Sequence, residues 1–270
     1  MIAMDCDGTL LTSDKKLSEH NRQALLRAIE KGVVVLPATG RPDSALPKDI
    51  ISLPGIRYAI ASNGGRVLDL QEHKVLYSKT LPMEEGLSLL DVLGKYDTYK
   101  EVFFDGTGYG EKEKLNRIKE YVPDQYMASY LLETRKQVPD IFKFIREKNM
   151  PLDKVQAIFK NMDEKDKASK EIKELIGKDA IGALENNIEV NASGVNKAEG
   201  ILYLANYLGI TKDEIMTFGD GMNDLEMIRE AGYGVAMENA VQDIKDVAYY
   251  VTDTNDQDGV AKAIEKFVLV

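Results

Sequence analysis

Short apolar runs that each stop at or near a polar, chemistry-bearing residue constrain this chain more than any other feature. Residues 1–4 stop at Asp5, 33–36 shortly before Thr39, 58–61 just before Asn63, and 215–218 just before Asp220. Helical patterns separate these runs. Ser18 is placed to cap a helix with apolar positions Leu25, Ala28 and Ile29, and Gly32 is its stop. Strand, helix, strand at this spacing predicts right-handed βαβ units and a parallel sheet. The pattern returns late in the chain. Residues 188–190 read as a strand, followed by a helix through Ile201, Leu204 and Leu208. After 215–218 comes a helix through Leu225 and Ile228, then short strands at 234–237 and 249–251, and a closing helix at 259–267.

The middle of the chain differs. From about residue 81 to 187 it is rich in lysine and glutamate, with amphipathic stretches, and its clearest strands are 102–104 and 155–159. No chemical motif appears there. The expected architecture is therefore a three-layer α/β/α, Rossmann-like core with a parallel sheet, formed by residues 1–80 and 188–270. An α+β domain, residues 81–187, is inserted into it.

Composition narrows the function. A content of 44% hydrophobic residues in 270 is globular, and no run of about 18 apolar residues is present to span a membrane. The first four residues, with no basic region or long apolar stretch, do not read as a signal peptide. A formal net charge of −10 argues against general nucleic-acid binding, which needs a basic footprint. Cys6 is the single cysteine, so no internal disulfide forms, and a cytoplasmic setting is expected. His20 and His73 are the two histidines and lack metal-like spacing, so carboxylates must carry the chemistry.

Four segments supply it, at predicted strand ends or helix starts. Ligand sites of open α/β sheets form at the carboxyl ends of strands, where distant loops meet. In Asp5-Cys6-Asp7-Gly8-Thr9-Leu10, two carboxylates two residues apart leave the strand on one side, and Gly8 permits a tight turn. One carboxylate can attack phosphorus while the other serves the leaving oxygen. A calcium loop is excluded because Lys16 stands where the twelfth-position glutamate belongs. Thr39-Gly40-Arg41 offers a hydroxyl and amides to phosphate oxygens, although such a pair is commonly a plain turn. Lys197 opens a helix, an awkward place for a cation unless a phosphate lies between it and Asp5. In Gly219-Asp220-Gly221-Met222-Asn223-Asp224, two acids and two glycines at a strand end suit a hard cation such as Mg²⁺, or equally a helix cap.

In this order and spacing the four segments resemble the motifs of the haloacid dehalogenase superfamily. Ser62-Asn63-Gly64 and the insertion of roughly a hundred residues look like its Cof-type phosphatases, which carry a C2-type cap. The resemblance implies that Asp5 is the nucleophile and a Mg²⁺ ligand. Asp7 would be general acid, then base, and would offer its backbone carbonyl to the metal. Thr39 and Lys197 would hold the phosphoryl group, helped by the amides of Cys6 and Gly40. Asp220 would be the third protein contact to Mg²⁺. Asn223 would touch phosphate or orient Lys197, and Asp224 would stand behind the metal's direct ligands or reach it through water. Cys6 replaces a usually aliphatic residue, and Ala198 a common glycine. Only four residues precede Asp5, which makes the first strand short and suggests an incomplete N-terminus.

The implied activity is hydrolysis of small phosphomonoesters, either sugar phosphates or phosphorylated cofactors. A phosphotransferase or phosphomutase on the same scaffold shares the nucleophile and is an open alternative. A regulatory protein without turnover is a second, against which the intact Asp5, Asp7, Lys197 and Asp220 weigh. The expected partner is a small phosphorylated metabolite, with no nucleic acid and no membrane, and the sequence does not disclose an oligomeric state. Tyr130, Arg135 and the run Glu185-Asn186-Asn187 are candidate specificity residues by polarity alone.

Overall fold

The computed structural model describes residues 1–177 and 186–270. The chain divides into two compact units. Unit 1 comprises Met1–Arg41, Leu46–Ser78 and Gly194–Val270, and unit 2 comprises Pro42–Ala45 and Lys79–Ser193.

Unit 1 is built on a parallel sheet. Its strand order is Tyr250–Val251, Tyr233–Ala236, Met216–Gly219, Ile2–Met4, Val35–Pro37, with every neighbouring pair parallel. Alternation along the strands sends side chains to both faces, and both are buried, as a parallel sheet requires. Ile2, Met4 and Val35 pack with Leu25 and Ala28 of the Glu19–Glu30 helix and with Val260 and Ile264 of the Gly259–Phe267 helix. Met1, Ala3 and Leu36 pack on the other side with Ile201 and Leu204 of the Lys197–Leu208 helix and with Met227 and Ile228 of Leu225–Glu230. The result is a three-layer α/β/α core. Ser18 caps the first helix by accepting from the Asn21 amide, as its sequence position predicts. Tyr58–Ala61 runs beside the end of Val35–Pro37, with the Thr39 amide donating to the Ile60 carbonyl. It continues into antiparallel pairing with Arg66–Asp69 and then Lys74–Ser78, two strands that the apolar pattern alone does not identify.

Unit 2 has its own mixed sheet, in the order Asn187–Asn191, Lys154–Phe159, Thr98–Phe104, Thr107–Glu111, Lys136–Val138. One face buries Val102, Val155, Ala157, Ile188 and Val190 against the Met83–Leu93, Ile141–Lys148 and Met162–Ile176 helices. This corrects the placement of residues 188–190. They are a strand, but it pairs antiparallel with Lys154–Phe159 rather than joining the core sheet. Period-two alternation identifies a strand and its faces, not its partner. Of the polarity-based candidates, Arg135 is buried and donates to Glu101 at 3.0 Å, with its guanidinium over the Phe103 and Tyr130 rings. Asn186 donates to the carbonyls of Tyr121 and Phe159, and Asn187 to Glu189. Glu185 lies outside the described residues.

Candidate active site

The carboxyl ends of Ile2–Met4 and Met216–Gly219, adjacent parallel strands, bring the first and fourth segments together. The Asp5 amide donates to the Phe218 carbonyl at 2.9 Å, which extends the ladder by one residue and fixes where the Asp5 side chain starts. The chain then turns back, with the Leu10 and Leu11 amides donating to the carbonyls of Asp5 and Cys6. Gly8 makes this turn at φ +87°, and a Cβ there would lie 2.5 Å from Asp220 Oδ2. Cys6 is fully buried in the apolar core, and burial pushes its thiol up.

Lys197 is wholly buried and donates to Asp5 Oδ1 at 2.5 Å and to Asp224 Oδ1 at 2.6 Å. The other oxygen of Asp224 accepts from the amides of Asp220 and Gly221 at 3.0 and 3.1 Å. Asp220 Oδ1 accepts from the Thr9 hydroxyl at 2.7 Å. Carboxylate oxygens of Asp5, Asp220 and Asp224 gather within 4.8 Å of one another. Burial raises Asp5 well above the usual carboxylate range, with Lys197 opposing and Asp224 and Asp220 adding to the rise. Burial, then Asp224, raises Asp220 to about 6. Burial acts to lower Lys197, and the charges of Asp224 and Asp5 outweigh it, so the ammonium is retained.

Three carboxylates against one ammonium leave an excess of negative charge in a site made of oxygen donors. That donor set fits a hard divalent cation. Asp224 already commits both oxygens to Lys197 and to two amides, which leaves Asp5 and Asp220 as the side chains best placed to ligate.

Asp7 lies apart from this cluster in its bonding. Arg41 Nε and Nη2 each donate to it at 2.8 Å, and Lys15 stands at 3.2 Å. Burial acts to raise its carboxyl, and the Arg41 hydrogen bonds and charge override that, holding it below its ordinary value. Thr39 is buried, and its hydroxyl accepts from the Arg41 amide at 3.2 Å. Asn223 donates to Asn63 Oδ1 at 3.3 Å, while its neighbour Asp224 is the residue bonded to Lys197. Sequence reasoning singled out the Arg41 segment without giving the side chain a partner. The preference of arginine for two-point carboxylate pairing was the available signal. Thr9 and Lys15 carried none.

An open parallel α/β core with an interrupting second unit, and an acidic, lysine-bridged site at its strand ends, defines the class. A family model described as haloacid dehalogenase-like hydrolase matches residues 2–264, and the chain belongs to that family. The resemblance carried by the four motifs is thereby borne out. The chain is 33% identical to the 5-amino-6-(5-phospho-D-ribitylamino)uracil phosphatase YcsE of Bacillus subtilis, over 100% of this chain and 96% of that protein. It is 29% identical to the phosphatase YwtE of the same organism, named for the same substrate, over 99% and 97%. A solved haloacid dehalogenase-like hydrolase from B. subtilis superposes with a TM-score of 0.85 at 26% identity, covering 99% of each chain.

Proposed function

We propose that this chain is a Mg²⁺-dependent phosphatase that hydrolyses small phosphomonoesters through a phosphoryl group carried on Asp5. The observation that carries the reading is the buried Asp5 carboxylate, held by Lys197 beside Asp220 at the strand ends. An Asp5 oxygen attacks phosphorus, the bond to the alcohol oxygen breaks, and Asp7 gives that oxygen a proton. Water then attacks phosphorus, Asp7 takes its proton, and the bond to Asp5 breaks, releasing inorganic phosphate. Lys197 offsets the repulsion between an anionic nucleophile and an anionic substrate. Thr39, with the amides of Cys6 and Gly40, holds phosphoryl oxygens, and Asn223 lies in the same rim.

Arg41 holds Asp7 as a carboxylate in the free protein. A phosphoryl group competes for that guanidinium, and its arrival lets the Asp7 carboxylate take up a proton from solvent, which it then gives to the leaving oxygen. Asp5, Asp220 and the Asp7 backbone carbonyl would hold Mg²⁺, which neutralises charge on the phosphoryl oxygens when bound.

The B. subtilis relatives support a phosphorylated metabolite with a hydroxyl-rich leaving alcohol as the substrate class. A reducing, cytoplasmic setting accords with the single buried Cys6, and among the described residues no helix is long and apolar enough to cross a membrane. The test is a panel of phosphomonoesters with Mg²⁺, followed by acid quench to trap phosphoprotein. Asp5→Asn should abolish both turnover and trapped label while leaving the fold intact by circular dichroism. Label retained in that variant would transfer the nucleophile's role elsewhere.

A further inference from the structure

Ser62-Asn63-Gly64 belongs to none of the four segments, yet it touches three of them. The three residues have φ of +51°, +57° and +94° in succession. Left-handed backbone at two consecutive non-glycine residues persists only where the surroundings over-determine it. Here the Ser62 amide donates to the Arg41 carbonyl at 2.9 Å and the Asn63 amide to the Thr39 carbonyl at 3.1 Å. The turn is thus bonded to both ends of Thr39-Gly40-Arg41. A Cβ on Gly40 would lie 2.8 Å from Asn63 Oδ1, so the loop lies directly against the Asn63 amide group. On its other side, a Cβ on Gly64 would lie 1.9 Å from the Asn196 carbonyl oxygen and 3.1 Å from Lys197 Cα. The turn therefore meets the start of the Lys197 helix backbone to backbone. Asn63 Oδ1 also accepts from Asn223.

We infer that Asn63 is a positioning residue, whose left-handed backbone and side-chain oxygen hold Thr39-Gly40-Arg41, Lys197 and Asn223 in one phosphoryl-binding geometry. Asparagine suits the place because it tolerates the left-handed region and brings an acceptor there. The inference rests on the phosphatase reading.

The test compares wild type, Asn63→Gly, Asn223→Ala and the double variant. Glycine keeps the backbone conformation and removes only the amide side chain. Binding of inorganic phosphate with Mg²⁺ is read by calorimetry, beside KM, kcat and melting temperature. A neutral hydrogen bond corresponds to a change of roughly fivefold. Asn63→Gly should weaken phosphate binding and raise KM by about that factor, with the melting temperature little changed. The double variant should lose less than the sum of the two single losses, because the two side chains share one bond. A melting shift with unaltered phosphate affinity and KM, or fully additive losses in the double variant, overturns the inference. Wild type that binds phosphate and turns over, with Asn63→Gly its equal, overturns the inference alone. Wild type that does neither overturns the functional reading and this inference with it.

Discussion

At the scale of single residues, Lys197 decides whether the site can exist without a ligand. Its ammonium is the charge bonded to both Asp5 and Asp224, and all three groups are buried. Removing one partner of a buried ionic cluster leaves the others uncompensated, which costs about 3–5 kcal/mol. Lys197→Met should therefore lower unfolding free energy by roughly that amount in chelator, measured by urea denaturation. Neutralising Asp5 as well should recover part of the loss, because one uncompensated carboxylate is gone. A loss below about 1 kcal/mol, the range of an exposed pair, would mean that Lys197 is not the counter-charge that Asp5 and Asp224 require.

At the scale of elements, the site depends on where strands stop and how tightly the chain turns afterwards. Gly8 shows the tolerance: its positive φ and the closeness of Asp220 both exclude a side chain. Gly8→Ala should cost about 1–3 kcal/mol in backbone strain. By displacing Asp220 it should also move Mg²⁺ activation to higher concentration, read from activity against Mg²⁺ alongside a urea melt. An unchanged activation curve would separate Asp220 from metal binding. Much of this was legible beforehand. The apolar runs before Asp5 and Asp220 are strands, and the closing helix spans Gly259–Phe267 as its apolar pattern indicates. The partner of the Asn187–Asn191 strand was not legible, because pairing is a property of the folded sheet. The Arg41–Asp7 and Thr9–Asp220 bonds were hidden for a related reason, since they join residues 34 and 211 positions apart.

At the scale of the whole molecule, the side chains assigned to the metal all belong to unit 1, and each unit buries apolar clusters of its own. A ligand that binds only the native form stabilises whatever must unfold to release it, by about 2.7 kcal/mol at a hundredfold excess over its Kd. Mg²⁺ should therefore slow hydrogen exchange in the Ile2–Met4 and Met216–Gly219 strands, whose ends carry Asp5 and Asp220. The Thr98–Phe104 and Lys154–Phe159 strands of unit 2 should exchange at unchanged rates if that unit opens separately. Exchange measured by mass spectrometry with Mg²⁺ and with chelator distinguishes the cases. Equal slowing in both units would show that they open as one cooperative block, and slowing in neither would remove Asp5 and Asp220 as the metal's ligands.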